Sequence, residues 1–482
     1  MGNSSQKKRR YEEIQSRRRD RVGTTMSTAN INDIYELDRV LGYGDFGSVR
    51  LATLKGTTSP QFAVKSIPKD KLQGNMKLLH RELELLRDLD HPNIVKFFEV
   101  YQDDEYFHLV MEYCSGGQVL ERFTSEKCFG EAETAKIMGK AFSAVKYLHE
   151  NGIVHRDIKP ENFLYSSNEP DAEIKLIDFG LSRFVEPHEI LKSQVGTPYY
   201  VSPDILNGSY DYRCDNWSLG VMMYVLLTGY YPFEARNTLE LGKEILYTSP
   251  NFTAGPWKNI SQPAKDLVAG LLIKDPYKRI TAKKALAHPW IKKTIKMIIM
   301  EHDKAENILE QIRHFSIEKK LRKVALSVLI THISDEDMKE LRNAFKYFDK
   351  HNTGEITIAD LRLVFKEQSL KIKKKELNEI MKSIHLDNSH TISFSEFLFI
   401  MLDATTYLTR EMLMRVFHHF NVDNSGYISI KNLKEVMTRS AKSYSDQEIE
   451  QMIAETHYSK NGKISFEDFC LFMRADDTKT RA

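Results

Sequence analysis

Two hydrophobic rhythms divide the chain. Between residues 35 and 110 the apolar positions come in short β-rich runs, Tyr35–Leu41, Ser48–Thr53, Phe62–Ile67 and Phe107–Met111, with one helical stretch, Met76–Leu89. Residues 115–291 read mostly as helix and loop, and 292–333 as helical and basic. Residues 334–475 carry an internal repeat. Ile356, Ile392, Ile428 and Ile464 are spaced 36 apart, and Leu361, Phe397, Leu433 and Phe469 follow each of them by five. Four copies at one period without an insertion predict an array of helical units. Just ahead of the array, Leu321, Val324, Ala325, Val328 and Leu329 fall on one helical face, and Lys319, Lys320, Arg322 and Lys323 crowd its start. A basic amphipathic helix suits an apolar groove between other helices. The pattern alone equally allows a helix packed permanently on residues 35–291.

Length bounds the architecture. At roughly 150 residues per domain, 482 residues suggest two to four domains. An apolar share of 41% with 28% charged residues excludes a wholly disordered or collagen-like chain. The longest apolar run, Val221–Leu227, is too short to span a bilayer. The four cysteines, Cys114, Cys128, Cys214 and Cys470, form no CxxC pair, so neither a disulfide framework nor a zinc site is expected, and a reducing compartment fits.

The net charge of +2 conceals a polarity. Residues 1–30 hold eight Lys/Arg against Glu12, Glu13 and Asp20, or +5, which leaves −3 for the other 452 residues. A nucleic-acid partner therefore has no electrostatic support. Met1-Gly2-Asn3-Ser4-Ser5-Gln6 partly matches the N-myristoylation pattern, with Gln where Ser or Thr is usual. One acyl chain holds a membrane only marginally, and Lys7–Arg10 with Arg17–Arg21 could supply the second signal. The charged N-terminus has no apolar stretch of the secretory kind. The expectation is a cytoplasmic protein that reaches a membrane surface through acylated Gly2; the rival is a plain basic tail.

Candidate chemistry begins at Gly42-x-Gly44-x-x-Gly47-x-Val49. In a dinucleotide fold such glycines lead into a helix, but here they lead into another strand pattern. A glycine hairpin lets backbone N–H groups lie over phosphates. Ala63-Val64-Lys65 follows on the next strand, and Glu82 on the helical stretch supplies a carboxylate to hold a phosphate-touching lysine. His155-Arg156-Asp157-Ile158-Lys159-Pro160-Glu161-Asn162 and Asp178-Phe179-Gly180 complete the set. All four occur in the order and approximate spacing of protein kinases.

Residues 35–291 thus resemble the eukaryotic protein kinase domain, which implies ATP and Mg²⁺ as cofactors and protein Ser/Thr as substrate. By that resemblance Asp157 accepts the substrate hydroxyl proton, Asn162 and Asp178 hold Mg²⁺, and Lys65, paired with Glu82, orients the α- and β-phosphates. Lys159 neutralises the γ-phosphoryl. Leu41, Val49, Ala63 and Leu164 sandwich the adenine, with Met111 deepest and Glu112–Cys114 as the hinge. Lys159 and Gly196-Thr197-Pro198 match serine/threonine rather than tyrosine kinases. Three departures stand out. Ser202-Pro203-Asp204 replaces Ala-Pro-Glu, so Asp204 is expected to pair less well with Arg279. Gln118 replaces a common glutamate, which weakens attraction for a basic residue upstream of the target, although Glu161 remains. Arg156 calls for an acidic or phosphorylated activation loop, with Ser182, Ser193 and Thr197 as hydroxyls and Glu186 and Glu189 as ready charges.

The 36-residue unit resembles the EF-hand, with loops 349–360, 385–396, 421–432 and 457–468. Kinase domain, junction helix and four EF-hands in one chain resemble the calcium-dependent protein kinases. The implied fold is an α+β bilobal kinase followed by an all-α, calmodulin-like EF-hand domain: tail 1–34, kinase 35–291, junction 292–333, and EF-hand pairs 334–407 and 408–482. An EF-hand wants oxygen ligands at loop positions 1, 3, 5 and 9, Gly at 6 and a bidentate Glu at 12. The first loop offers Asp349, His351, Thr353 and Asp360; the second His385, Asp387, Ser389, His390 and Glu396. The third offers Asn421, Asp423, Ser425 and Asn432; the fourth His457, Ser459, Asn461 and Asp468. None is complete. Residues 334–482 carry 24 acidic against 22 basic residues, a weak attraction for a divalent cation. Two readings stay open: weak Ca²⁺ sensing through Asp349, Thr353, Asn421, Asp423 and Ser425, or a degenerate scaffold that grips the junction constitutively. A signalling scaffold with dispensable kinase activity is the rival in a different class. The resemblance also implies that the junction obstructs the active site until the EF-hand lobe withdraws it, so truncation near Thr294 should raise or preserve activity.

Overall fold

The computed structural model describes residues 30–294 and 307–474, except 45–46, 59, 73–78, 80–82, 84, 87–88, 123–127, 186–188, 194, 254, 313–319, 331–334, 352, 369–371, 373–374, 378, 380, 382–390, 402–407, 424, 440–445, 455 and 457–461. Residues 1–29 of the tail, Glu82, Glu186, the second-loop residues His385, Asp387, Ser389 and His390, and the fourth-loop residues His457, Ser459 and Asn461 lie outside the described residues, whereas residues 30–34, given to the tail by the sequence, are described and bury Ile31 beside Tyr35. Two compact units result. One takes its described residues from 74–95 and 114–297, the other from 23–73, 96–113 and 298–482.

The second unit opens with a five-stranded antiparallel sheet: β1 (Tyr35–Gly44), β2 (Gly47–Leu54), β3 (Gln61–Pro68), β4 (Phe97–Gln102) and β5 (Tyr106–Glu112), in the order β1-β2-β3-β5-β4. One face buries Tyr35, Ala52, Phe62, Val64, Tyr101 and Val110 with Ile31. The sequence pattern missed β4, because Phe97–Gln102 mixes apolar positions with Glu99 and Gln102. Glu99 is tolerated there because its buried carboxylate accepts from the Tyr35 hydroxyl at 2.9 Å and the Tyr101 hydroxyl at 2.6 Å. β1 also runs past Leu41, so Gly42 and Gly44 end a strand instead of starting a loop.

The first unit is mainly helical. Its described helices are α1 (Glu131–Glu150), α2 (Pro203–Leu206), α3 (Arg213–Thr228), α4 (Thr238–Tyr247), α5 (Gln262–Leu271), α6 (Ala282–Leu286) and α7 (Pro289–Thr294). Two small ribbons, β6 (Ile153–Val154) with β9 (Arg183–Phe184) and β7 (Phe163–Tyr165) with β8 (Ile174–Leu176), carry the catalytic motifs. The apolar run Val221–Leu227 lies in α3, which is buried almost all round and stops at left-handed Gly229.

The C-terminal part of the second unit is the repeat array. Its helices are α8 (Lys320–Ile330), α9 (Asp335–Phe348), α10 (Ile358–Glu367), α11 (Phe394–Met401), α12 (Arg410–Phe420), α13 (Ile430–Arg439), α14 (Asp446–Ala454) and α15 (Phe466–Arg474). Residues one repeat apart face each other. Ile356 pairs with Ile392 across β10 (Glu355–Thr357) and β11 (Thr391–Ser393), and Ile428 with Ile464 across β12 (Tyr427–Ser429) and β13 (Lys463–Ser465). The expected all-α domain thus contains two short ribbons that tie its loops in pairs.

The amphipathic junction helix α8 is built into this array. Leu321, Val324, Ala325 and Leu329 are buried in one core with Phe345, Phe397, Phe417 and Phe469, and Val328 packs against it. Leu326, off the expected face, is buried there too. Of the two placements open to the helix, this is the groove. At about 25 cal/mol per Å² of apolar surface, four buried aliphatic side chains amount to several kcal/mol of gross stabilisation. Within the same unit α13 packs on β4, Lys96 Nζ donates to Ser395 Oγ at 3.1 Å, and His419 Nε2 lies 3.5 Å from Glu99 Oε1.

Candidate active site

The sheet places the residues expected to meet phosphate and adenine on one face. Val49 pairs with Lys65, Ala63 with Met111, and Lys65 with Leu109, so cross-strand register puts Val49, Ala63, Lys65 and Met111 on the same side. A bulge between Val40 and Gly42 inserts Leu41 at the strand end. A Cβ on Gly47 would come 2.0 Å from the Ser66 carbonyl oxygen, so only glycine lets this turn lie so close to β3. Lys65 is buried. Glu112 ends β5, where its backbone N–H donates to the Lys96 carbonyl at 2.8 Å. Cys114 and Leu164 belong to the other unit, as do Asp157, Lys159, Asn162 and Asp178.

In that unit the catalytic segment is a closed hydrogen-bond network. Lys159 Nζ lies 2.8 Å from Asp157 Oδ2, and Asn162 Nδ2 donates to the Asp157 backbone carbonyl at 2.7 Å and to Asp157 Oδ2 at 3.1 Å. The Thr197 hydroxyl donates to Asp157 Oδ1 at 2.7 Å and accepts from Lys159 Nζ at 2.9 Å. Burial raises the Asp157 pKa, but hydrogen bonds from Lys159 and Thr197 and the Lys159 charge outweigh it and hold the pKa below the usual carboxylate value. Asp157 is therefore an anion at neutral pH, the state that a hydroxyl-proton acceptor requires.

Sequence reasoning missed the residue that holds this segment in shape. Asp215, fully buried on α3, accepts from the His155 backbone N–H at 2.9 Å, the Arg156 N–H at 2.8 Å and His149 Nε2 at 2.8 Å. Arg156 sits at φ 71, a strained conformation for a side chain of that size. The two N–H bonds to one carboxylate offset that strain. Burial pushes the Asp215 pKa up, yet the His149 hydrogen bond and charge, then His155, keep it lowered. A signal existed in the sequence: a lone Asp at the head of the most apolar helix. His155 is buried, and desolvation lowers its pKa against the nearby carboxylates, so the ring is neutral and packs edge-on to Phe179 at 5.0 Å.

The residues present fit Mg²⁺. Asp178 is held at φ 58 with Gly180 N–H on its Oδ1 at 3.3 Å. Asn162 spends its amide N–H on Asp157, which leaves its carbonyl oxygen as a hard donor. When bound, the ion neutralises charge on the phosphates.

Asp204 does find Arg279. Arg279 Nη2 donates to Asp204 Oδ1 at 2.6 Å, both side chains buried, while Asp204 Oδ2 has no hydrogen-bond partner among the described residues. The expected weakness is thus a one-toothed pair rather than a lost one. Asp204→Glu should reach the guanidinium with both oxygens and raise the unfolding free energy by about 1 kcal/mol, read as a higher urea midpoint. A lower midpoint would reject this account. Glu161 Oε2 is likewise buried without a hydrogen-bond partner among the described residues, and Gln118 is exposed.

Ca²⁺ would need a set of oxygen ligands from each EF-hand loop. Gly354, Gly426 and Gly462 make the left-handed turn such loops need. The ligands are otherwise engaged. In the first loop Asp360 Oδ2 caps α10, accepting from the Thr357 N–H at 2.8 Å and its hydroxyl, and Asp360 Oδ1 accepts from His351 Nδ1 at 2.5 Å. Asp349 accepts from the backbone N–H groups of Thr353 and Gly354, both at 2.7 Å. In the third loop Ser425 Oγ bonds Asn421 Oδ1 at 3.3 Å, and Asn432 Oδ1 is taken by Ser429 N–H and Oγ at 2.9 and 2.7 Å. Asp423 has its pKa lowered by Ser425 first and by Asn432 among the rest. In the first loop the imidazole of His351 stands at position 3 and occupies an oxygen of the short position-12 carboxylate, Asp360, and in the third loop a carboxamide, Asn432, stands where a bidentate carboxylate should meet the cation. These two ligand sets do not fit Ca²⁺.

Comparison with known proteins agrees with this architecture. The protein kinase domain family matches residues 35–291, and the EF-hand domain pair family matches residues 338–402 and 410–474. The chain is similar to calcium-dependent protein kinase 4 of Arabidopsis thaliana, 38% identical over 358 residues that cover 73% of this chain and 70% of that one. It belongs to the calcium-dependent protein kinase family. Calcium-dependent protein kinase 3 of Plasmodium berghei is 38% identical over 72% of this chain and 62% of its own length. Calcium-dependent protein kinase 5 of Plasmodium falciparum is 38% identical over 73% and 61%. The chain therefore spans a little under two thirds of these Plasmodium relatives. Family membership places the two halves of the kinase motif set in one serine/threonine kinase domain and the paired loops in an EF-hand regulatory domain.

Proposed function

We propose that this chain transfers the γ-phosphoryl of ATP to serine or threonine hydroxyls of protein substrates, and that its EF-hand lobe holds the junction helix without Ca²⁺ in the first and third loops. The observation that carries the catalytic half is Asp157, ionised and fixed by Lys159, Asn162 and Thr197. Asp178 and Asn162 hold Mg²⁺, and Lys65 and Lys159 neutralise phosphate charge. Positioning and charge compensation are the whole task, since phosphoryl transfer asks for little covalent chemistry from the protein. Glu161 is the carboxylate that remains for a preference for a basic residue near the target hydroxyl, weakened by Gln118.

The regulatory half rests on α8, whose apolar face is spent inside the array, and on the His351–Asp360 contact. Phosphorylation of a basic Ser/Thr peptide should differ by no more than about twofold between Ca²⁺ and chelator. Loops with depleted ligand charge bind at ~10⁻⁴ M or weaker, and restoring His351→Asp with Asp360→Glu should bring a site into the ~10⁻⁷–10⁻⁵ M range by calorimetry. A steep Ca²⁺ response of the unmodified chain would sink this reading. The tail is proposed to place the kinase at a cytoplasmic membrane surface through myristoylated Gly2 and its basic patch; a free or acetylated Gly2 in mass spectra would reject that.

A further inference from the structure

A relay of three polar side chains crosses the five-stranded sheet on the face turned away from Lys65. Register pairs Ser66 on β3 with His108 on β5, and Lys65 with Leu109. Ser66 and His108 therefore share the face that buries Val64, Tyr101 and Val110. Ser66 Oγ lies 2.8 Å from His108 Nδ1, and His108 Nε2 lies 2.9 Å from Asp103 Oδ2. Ser66 and His108 are both buried. Asp103 stands in the turn between β4 and β5. There its Oδ1 accepts from the backbone N–H groups of Glu105 at 2.8 Å and Tyr106 at 2.7 Å, so the turn itself fixes the outer end of the relay.

Each atom of the relay has one role. Burial raises the Asp103 pKa, but the His108 hydrogen bond and the Tyr106 and Glu105 N–H groups outweigh it and leave the pKa lowered. Asp103 is then a carboxylate, which only accepts, so His108 Nε2 carries a proton. In the neutral ring Nδ1 accepts from the Ser66 hydroxyl. The inner end of the relay is the second observation. The Ser66 carbonyl oxygen is the atom that a Cβ on Gly47 would meet at 2.0 Å, and the preceding residue in the chain is Lys65. The glycine turn and the lysine are the two elements expected to meet the phosphates, and both are set against Ser66. An apolar pair at 66 and 108 would fill the same face. A polar pair, with every partner met, fixes one arrangement of the two strands instead.

We propose that His108, held by Asp103, is a positioning residue for nucleotide binding: through Ser66 it fixes the backbone that supports the Gly47 turn and presents Lys65 to the phosphates. His108 lies on the opposite face from Lys65, so it acts through Ser66 and not on the nucleotide. Successive residues of a strand point to opposite faces but share a peptide unit, so a bond made on one face sets the angle at which the next side chain leaves the other. The effect reaches function because this site works by positioning, where a small displacement of a charge-bearing group is costly.

This inference rests on the kinase reading, and the experiment separates the two. In the full chain, the Kd for ATP is measured by displacement of a fluorescent ATP analogue. The kcat, the KM for ATP, the KM for a basic Ser/Thr peptide and the urea midpoint are measured beside it. The variants are Ser66→Ala, His108→Gln and His108→Asn. A glutamine amide falls near the Nε2 position and reaches Asp103, whereas an asparagine amide falls near Nδ1 and reaches Ser66. Ser66→Ala and His108→Gln should raise the Kd and KM for ATP about threefold to tenfold, the equilibrium equivalent of one net hydrogen bond. The kcat at saturating ATP and the KM for peptide should stay within about twofold, the signature of lost uniform binding. His108→Asn should recover most of the loss. A purely structural role would instead lower the urea midpoints and leave the Kd for ATP unmoved, and that result overturns the proposal. So does a His108→Asn chain as weak for ATP as His108→Gln. A parent chain that binds ATP but phosphorylates no peptide would refute the kinase reading, while the Kd comparison would still decide His108. A parent that binds no ATP overturns both.

Discussion

Replacing Asp157 by Asn lowers kcat on a Ser/Thr peptide by about 10²- to 10⁴-fold, the range of a positioned general base. The geometry explains why substitution is not tolerated. Asp157 Oδ1 takes the Thr197 hydroxyl and Oδ2 faces Lys159 and Asn162, so each oxygen has donors arranged around it. A carboxamide turns one of those positions into a donor that meets Lys159 or Thr197 head-on and cannot accept the substrate proton. ATP affinity should change little, because Asp157 does not carry the nucleotide; a fluorescent ATP analogue would report that. The lowered pKa sets the sign of the pH dependence. Asp157 stays ionised until pH falls below the ordinary carboxylate value of 3.8, so it contributes no acid limb to the rate above that. An Asn variant with activity within tenfold of the parent would remove Asp157 from the base role.

Asp215→Ala is expected to cost about 3–5 kcal/mol of stability, the usual result of breaking a buried charge network by removing one partner. Two backbone N–H groups, of His155 and Arg156, and the ring of His149 would lose their shared acceptor at a site with no solvent. The strained φ of Arg156 would then have nothing to hold it, and kcat should fall together with the urea midpoint. The milder Asp215→Asn keeps the volume and one acceptor, so it should fold and lose only part of both. Because folding lowers the Asp215 pKa, its contribution is present above the unfolded value near 3.8 and is lost as pH falls through the lowered folded value. The Asn variant should therefore be less sensitive to acid than the parent across that window. A parent-like midpoint and rate in both variants would show that the network is incidental.

Much of this molecule was legible because its signals are local or periodic. Glycine loop, Lys65, His155–Asn162 and Asp178–Gly180 are short motifs whose residue types are dictated by phosphate chemistry. The period of 36 registers correctly as Ile356 opposite Ile392 and Ile428 opposite Ile464. The face of the junction helix was right at each of its five positions. Strand β4 was not legible, since Glu99 breaks the alternation and is satisfied by the hydroxyls of Tyr35 and Tyr101, one of which lies 64 residues away.

The sequence by itself determined the chemistry: which side chains can meet ATP, which cannot make a full Ca²⁺ ligand set, and where the amphipathic helix stands. Those are properties of residue type and spacing, and they survive any packing. Only the tertiary structure decided who satisfies whom. It put α8 in the EF-hand core, Asp215 beneath the catalytic loop, His351 against Asp360, and His108 between Ser66 and Asp103. The physical reason is that a buried polar group must find its partner at hydrogen-bond distance in space, and nothing in sequence separation says which group that will be.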